Sequence, residues 1–297
     1  MTTERLIRIL VTITLIEMMA TIGLGVRLKD VGRIARKPGL LMRAAIANYA
    51  CVPLVTVGLL LWFGPPPMIS AGFLIVAVCP GAAYGPPFTA LAKGDVAAAI
   101  GLMVILAGSS AICAPLLLRN LLPLMTKSQS MRVDVIKIVV MLLLSQLIPL
   151  LAGLFVRQWR PPLANKLKHP ADVVSALLNL SLLGLIVAVR FRTLAAIRVE
   201  AFMGMLALVA ASVAAGWLLG ERGSENRKAM TFSTSVRNLA VALEIATASF
   251  PATPAVTAVL TYGLFQTLLL AIVALAWGRL GRAVISGTSE VMRVQGE

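Results

Sequence analysis

Nine stretches of predominantly apolar residues, each roughly 20–25 long and separated by short polar connectors, constrain this chain more than any other feature. A segment of that length crosses the hydrocarbon core of a bilayer as a helix, because lipid offers the backbone no hydrogen-bond partner and a helix supplies its own. The chain is therefore expected to be an all-α integral membrane protein, a single polytopic domain over residues 1–297. The spans are placed at 5–26, 39–63, 68–92, 95–123, 133–156, 171–189, 199–220, 227–250 and 254–278. Composition agrees: 59% of residues are hydrophobic and 13% charged, against about 25% charged in soluble domains.

Two spans are irregular. The third carries "CPGAAYGPP", which places Pro80, Gly81, Gly85, Pro86 and Pro87 inside an apolar run. The eighth carries a polar block from Ser233 to Asn238, with Ser235 and Arg237 inside it. Broken helix is tolerated at membrane depth only where protein or a water-filled cavity surrounds it. Interrupted segments at corresponding places in two halves of a chain point to a solute site at mid-membrane. The bland alternative is a kink and a helix-packing patch.

The net charge of +15 raises nucleic acid as a partner, but aromatics are only 5% and do not interleave with the basic residues. No nucleic-acid partner is expected. Lys and Arg collect instead in the connectors after spans one, three, five and seven and in the C-terminal tail. By the positive-inside rule those face the cytoplasm, so the N-terminus is placed outside and the C-terminus inside. The expected location is the cell (inner) membrane, and the expected state a monomer or weak homo-oligomer. A single histidine and three scattered cysteines give no metal cluster or hydrolytic triad. No enzyme activity, no cofactor and no metal are expected.

Arg237 lies within a span, where a charge costs about 2.5–3.5 kcal/mol and calls for a partner. Glu17 and Glu244 are the available carboxylates, each away from the ends of its span. Glu244 follows Arg237 by seven residues, two turns of an unbroken helix. Each carboxylate is read either as an ion-pair partner or as a proton carrier. Arg43 and Lys137 read as side chains that snorkel to the interface.

On these residues the chain resembles the bile acid/sodium symporter family. "GLGVRLKD" (Gly23–Asp30), "KPGLL" (Lys37–Leu41), "CPGAAYGPPFTALAKGD" (Cys79–Asp95), "APLLL" (Ala114–Leu118) and "STSVRN" (Ser233–Asn238) fall in the family's order. The resemblance implies an inverted-repeat transporter with panel and core domains and two discontinuous helices crossing in the core. It also implies a nine-span version lacking the first of the usual ten helices. The expected activity is sodium-coupled carriage of a small organic anion, a carboxylate or bile-acid-like solute. The implied solute-binding residues are Asn48, Pro80, Gly81, Tyr84, Gly85, Pro86, Ser233, Ser235, Arg237 and Asn238.

The family's sodium ligands are largely replaced. Its Ser and Asn after Cys-Pro-Gly fall on Gly85 and Pro86, and its Ser and Thr on the next helix on Ala99 and Met103. Its Glu and Gln on the second crossing helix fall on Ser233 and Arg237, and a further Gln becomes Asn48. Asn238 is kept. Hard cations need oxygen ligands, and a guanidinium stays charged and offers none. Sodium coupling is therefore doubtful, with Arg237 expected to stand in for the cation and attract the solute's carboxylate. The alternatives are a proton-coupled or uncoupled carrier, or a non-transporting membrane receptor on the same fold.

Overall fold

The computed structural model describes residues 3–125, 133–195 and 199–294, and every regular element among them is helical. The elements are α1 (Thr3–Gly25), α2 (Leu28–Ala35), α3 (Pro38–Ala45), α4 (Val52–Phe63), α5 (Pro67–Ala77), α6 (Gly85–Leu91) and α7 (Val96–Leu121). They continue with α8 (Val135–Leu142), α9 (Ile148–Trp159), α10 (Pro161–Ala195), α11 (Val199–Leu219), α12 (Ser224–Ser235), α13 (Leu239–Ser249) and α14 (Pro254–Val294). Among the described residues, seven continuous helical stretches are long and apolar enough to cross a membrane. The expected third and eighth spans are instead two pairs of short helices, α5–α6 and α12–α13, each interrupted near its middle.

Two departures from the expected layout have local causes. The basic connector after α1 is not irregular: α2 lies against α7 with Ile34 fully buried. The connector "RPPLANKLKHP" is helical too, so α10 begins at Pro161 rather than near 171. Proline fits the first turn of a helix, where its missing N–H has no partner to lose.

Helices α3–α4 and α8–α9 are each joined through one π-helical turn, Ile46–Cys51 and Leu143–Leu147. Both turns are followed within two residues by a proline, Pro53 and Pro149. Neither proline can donate to the carbonyl four residues back, so the helix widens there. The widened turns hold the buried amides Asn48 and Gln146.

The helices fall into two groups. In one, α1 packs along α9 and α10. Gly23 and Gly153 meet so closely that a Cβ on Gly153 would sit 2.2 Å from the Ala20 carbonyl oxygen. In the other group, α5, α6, α7, α11, α12, α13 and α14 surround the two breaks. The groups touch through α1 against α13 and through α7 against α8 and the Leu143–Leu147 turn.

Ion pairs gather the basic connectors at one end: Arg33 with Asp95 at 2.6 Å, and Lys37 and Arg43 with Glu221 at 3.1 and 3.8 Å. Such exposed pairs contribute at most about 1 kcal/mol each. Asp95 does more, because its Oδ1 also accepts from the Ala98 amide at 2.9 Å and caps α7. Asp95→Ala is expected to lower stability by about 1 kcal/mol, read as an earlier thermal transition of the purified protein. Asp95→Asn, which keeps the cap, is expected to recover most of it.

Candidate functional site

The two breaks meet. The Asn238 amide donates to the Cys79 carbonyl at 2.7 Å, and its Nδ2 donates to the Gly81 carbonyl at 3.2 Å. Its Oδ1 caps α13 by accepting from the Val241 amide. One asparagine thus satisfies the open backbone of the first break and starts the helix after the second. Gly81 has φ +82 and lies against α7, where a Cβ would come within 2.3 Å of the Ala107 nitrogen. Only glycine meets both conditions without strain.

Arg237 stands inside the second break, 1% exposed. Its guanidinium has five N–H groups, and each faces an oxygen. Nε donates to the Val76 carbonyl at 3.3 Å. Nη1 donates to Asn48 Oδ1 at 2.7 Å and to the Thr234 carbonyl at 3.1 Å. Nη2 donates to the Asn48 carbonyl at 3.5 Å and to the Ala77 carbonyl. Val76 and Ala77 end α5, and Thr234 ends α12. Two helix C-termini, each carrying about half a negative charge, therefore converge on one cation. This lowers the cost of burying it without a carboxylate. The backbone of Arg237 is held separately: its amide donates to Gln266 Oε1 at 3.1 Å, and its carbonyl accepts from Gln266 Nε2 at 3.0 Å.

The expected pairing of Arg237 with Glu17 or Glu244 does not form. The two-turn spacing assumed an unbroken helix, whereas α12 stops at Ser235 and α13 starts at Leu239, so the helical phase is lost between them. Glu244 instead meets Thr12 Oγ1 on α1, 2.9 Å from both carboxylate oxygens. Glu17 accepts from Thr21 Oγ1 at 2.7 Å and from Ser175 Oγ on α10. The guanidinium also has no donor left over for a solute carboxylate. The expected direct salt bridge to solute would have to displace one of its present acceptors.

Of the other expected site residues, Asn48 is fully buried and Pro80, Gly81, Gly85 and Pro86 are buried at the crossing. A Cβ on Gly85 would stand 3.7 Å from the Phe232 carbonyl oxygen, so α6 starts close against α12. Ser233 is buried with its hydroxyl unpartnered. Ser235 donates back to the Thr231 carbonyl and is spent within its own helix. Tyr84 is 48% exposed beside the crossing rather than inside it.

The sequence did not point to Gln266 or Gln146. Gln146 is fully buried and donates to Ser110 Oγ at 3.1 Å and to the Ala107 carbonyl, in the turn of α7 that faces Gly81. Each is a lone amide in a strongly apolar helix, which was the available signal.

The sequence profile of the sodium bile acid symporter family matches residues 12–218, more than half of the chain. An uncharacterized sodium-dependent transporter of Bacillus subtilis, YocS, is 26% identical over 247 residues, covering 81% of this chain and 74% of that protein. A probable chloroplastic sodium/metabolite cotransporter of Arabidopsis thaliana, BASS1, is 28% identical over 148 residues, covering 50% of this chain and 35% of that one.

Proposed function

Because the chain belongs to the sodium bile acid symporter family, and so is a multi-pass membrane transporter rather than an enzyme, we propose that it carries a small organic anion by alternating access without a sodium ion at the crossing. One observation carries this: the Arg237 guanidinium places all five N–H groups on oxygens at the meeting of α5, α12 and Asn48. A bound cation would collect the same kind of oxygen. A fixed positive charge held there leaves neither room nor electrostatic reason for a mobile one, since like charges at that distance repel strongly in low dielectric.

The relatives' names mention sodium. By the family resemblance, the family's ligand positions fall on Gly85, Pro86, Ala99 and Met103 in this chain. The carrier makes nine passes with α5–α6 and α12–α13 as the broken ones. Its basic end, tied together by Arg33, Lys37, Arg43, Asp95 and Glu221, faces the cytoplasm. The group around the crossing rocks against the group of α1, α9 and α10, and the solute binds beside Asn238, Gly81 and Tyr84.

The test is uptake of labelled carboxylates, bile acids and pantoate among them, into liposomes holding the purified protein, with sodium replaced by choline. Uptake at an unchanged rate is expected. Complete loss of uptake in choline would overturn the proposal.

A further inference from the structure

If sodium does not drive the carrier, another ion has to, or nothing does. Glu244 lies where the two helix groups meet. It is 2% exposed, sits on α13 in the group that holds the crossing, and touches Thr12 on α1 in the other group. The four ion pairs among the described residues do not include it. Glu17, by contrast, is bonded within its own group, to Thr21 of α1 and Ser175 of α10. Among the described residues, Glu244 puts a buried carboxyl on the seam that must slide when one group moves against the other.

The hydrogen-bond geometry at this seam favours a proton. Thr12 Oγ1 lies 2.9 Å from each carboxylate oxygen and 3.1 Å from the Arg8 carbonyl oxygen. A hydroxyl has one hydrogen to give. Beside a carboxylate, that hydrogen serves one oxygen and leaves the contact to Arg8 without a proton. Beside a carboxylic acid, Glu244 donates to Thr12 Oγ1 and Thr12 donates to the Arg8 carbonyl, so the chain of three closes. An ionised carboxyl out of water and outside any ion pair is also costlier than a neutral one with a hydrogen bond, although the exposed Arg8, one turn before Thr12 on α1, pulls the other way.

We propose that Glu244 is a proton-binding site at the seam between the two helix groups. The carboxylate takes one proton from water on one side, holds it as the acid against Thr12, and returns it to water on the other. Its role as the coupling site rests on the carrier proposal above; its proton chemistry does not. The elements packed on α13 are α1, α14 and α5. Their charged and titratable side chains are Arg5, Arg8 and Glu17 on α1 and Tyr262 and Arg279 on α14 among the described side chains, with none on α5. Arg5 and Arg8 are exposed, and Tyr262 is fully buried edge-on to Phe73. Cys79 and Arg237 lie in the neighbouring breaks, the latter saturated by its own oxygens.

The test is infrared titration of the purified full-length protein over the pH range in which it stays folded, for the wild type, Glu244→Gln and Glu17→Gln. The expected result is a protonated-carboxyl C=O band that is lost in Glu244→Gln and retained in Glu17→Gln. Thr12→Val, which removes the hydrogen-bond partner but not the carboxyl, is expected to shift that band, and it serves if Glu244→Gln does not fold. A Glu244 that stays ionised throughout the range, or a band untouched by both substitutions, overturns the proposal. The same protein in liposomes loaded with a pH-sensitive dye then separates the two ideas. A Glu244-dependent band without acidification on adding taurocholate or pantoate tells against the carrier role and leaves the proton site standing.

Discussion

Arg237→Ala is expected to lose transport and to cost roughly 3–5 kcal/mol of stability, the range for removing one partner from a buried charged network. The loss has identifiable sources. The Ala77 and Thr234 carbonyls and Asn48 Oδ1 would lose their Arg237 donors at a depth where water cannot replace them. Two helix C-termini would then face each other with their partial negative charges uncompensated. Arg237→Lys keeps the charge but has three donors for five oxygens, so a smaller loss is expected. The informative variant is Ser233→Glu with Arg237→Gln, which returns the residue types the family resemblance places there. It removes the built-in cation and adds oxygen ligands beside the same carbonyls. The wild type is expected to melt at the same temperature in sodium and choline, and the double variant to melt higher in sodium. A wild type stabilised by sodium, or a double variant indifferent to it, would show that the guanidinium does not fill a cation's place.

What the sequence could and could not reveal follows from which atoms do the work. The breaks were legible because Pro80, Pro86 and Pro87 interrupt the hydrogen bonds of a continuing helix and Gly81 weakens it, and because Ser233–Asn238 is polar where lipid forbids it. That the two meet was suggested by their matched positions and by the family resemblance. The partners of Arg237 were not legible, because four of its five acceptors are backbone carbonyls, which every residue carries and no residue type announces. Helical spacing brought Glu244 within reach of Arg237, one of its two readings, and failed for the reason that made the site visible, since a break resets the phase on which spacing depends. Gln266 bonds to a residue 29 positions away. That pairing depends on how α14 lies beside the crossing, and no local pattern encodes it. The π-helical turns left a trace in Pro53 and Pro149, but a proline in a helix signals a disturbance without saying which kind.

Gly81→Ala is the second substitution expected to have a large effect, through shape rather than charge. At φ +82 a side chain brings its Cβ against its own backbone, a strain of about 1–2 kcal/mol. The added methyl would also fall 2.3 Å from the Ala107 nitrogen and 2.6 Å from its Cα. Those are main-chain atoms of a long helix and cannot swing aside as a side-chain tip could, so overpacking adds about 1–3 kcal/mol. Relief requires moving the first break away from α7, which draws the Gly81 and Cys79 carbonyls off Asn238 and disturbs the cap of α13. Gly58→Ala is the control: it lies within α4 with nothing inside 4 Å of the added carbon, and alanine there is expected to stabilise by about 0.5–1 kcal/mol. Thermal transitions of the three proteins decide the matter. A Gly81→Ala protein as stable and active as the wild type would mean that the two breaks do not depend on this close approach to α7.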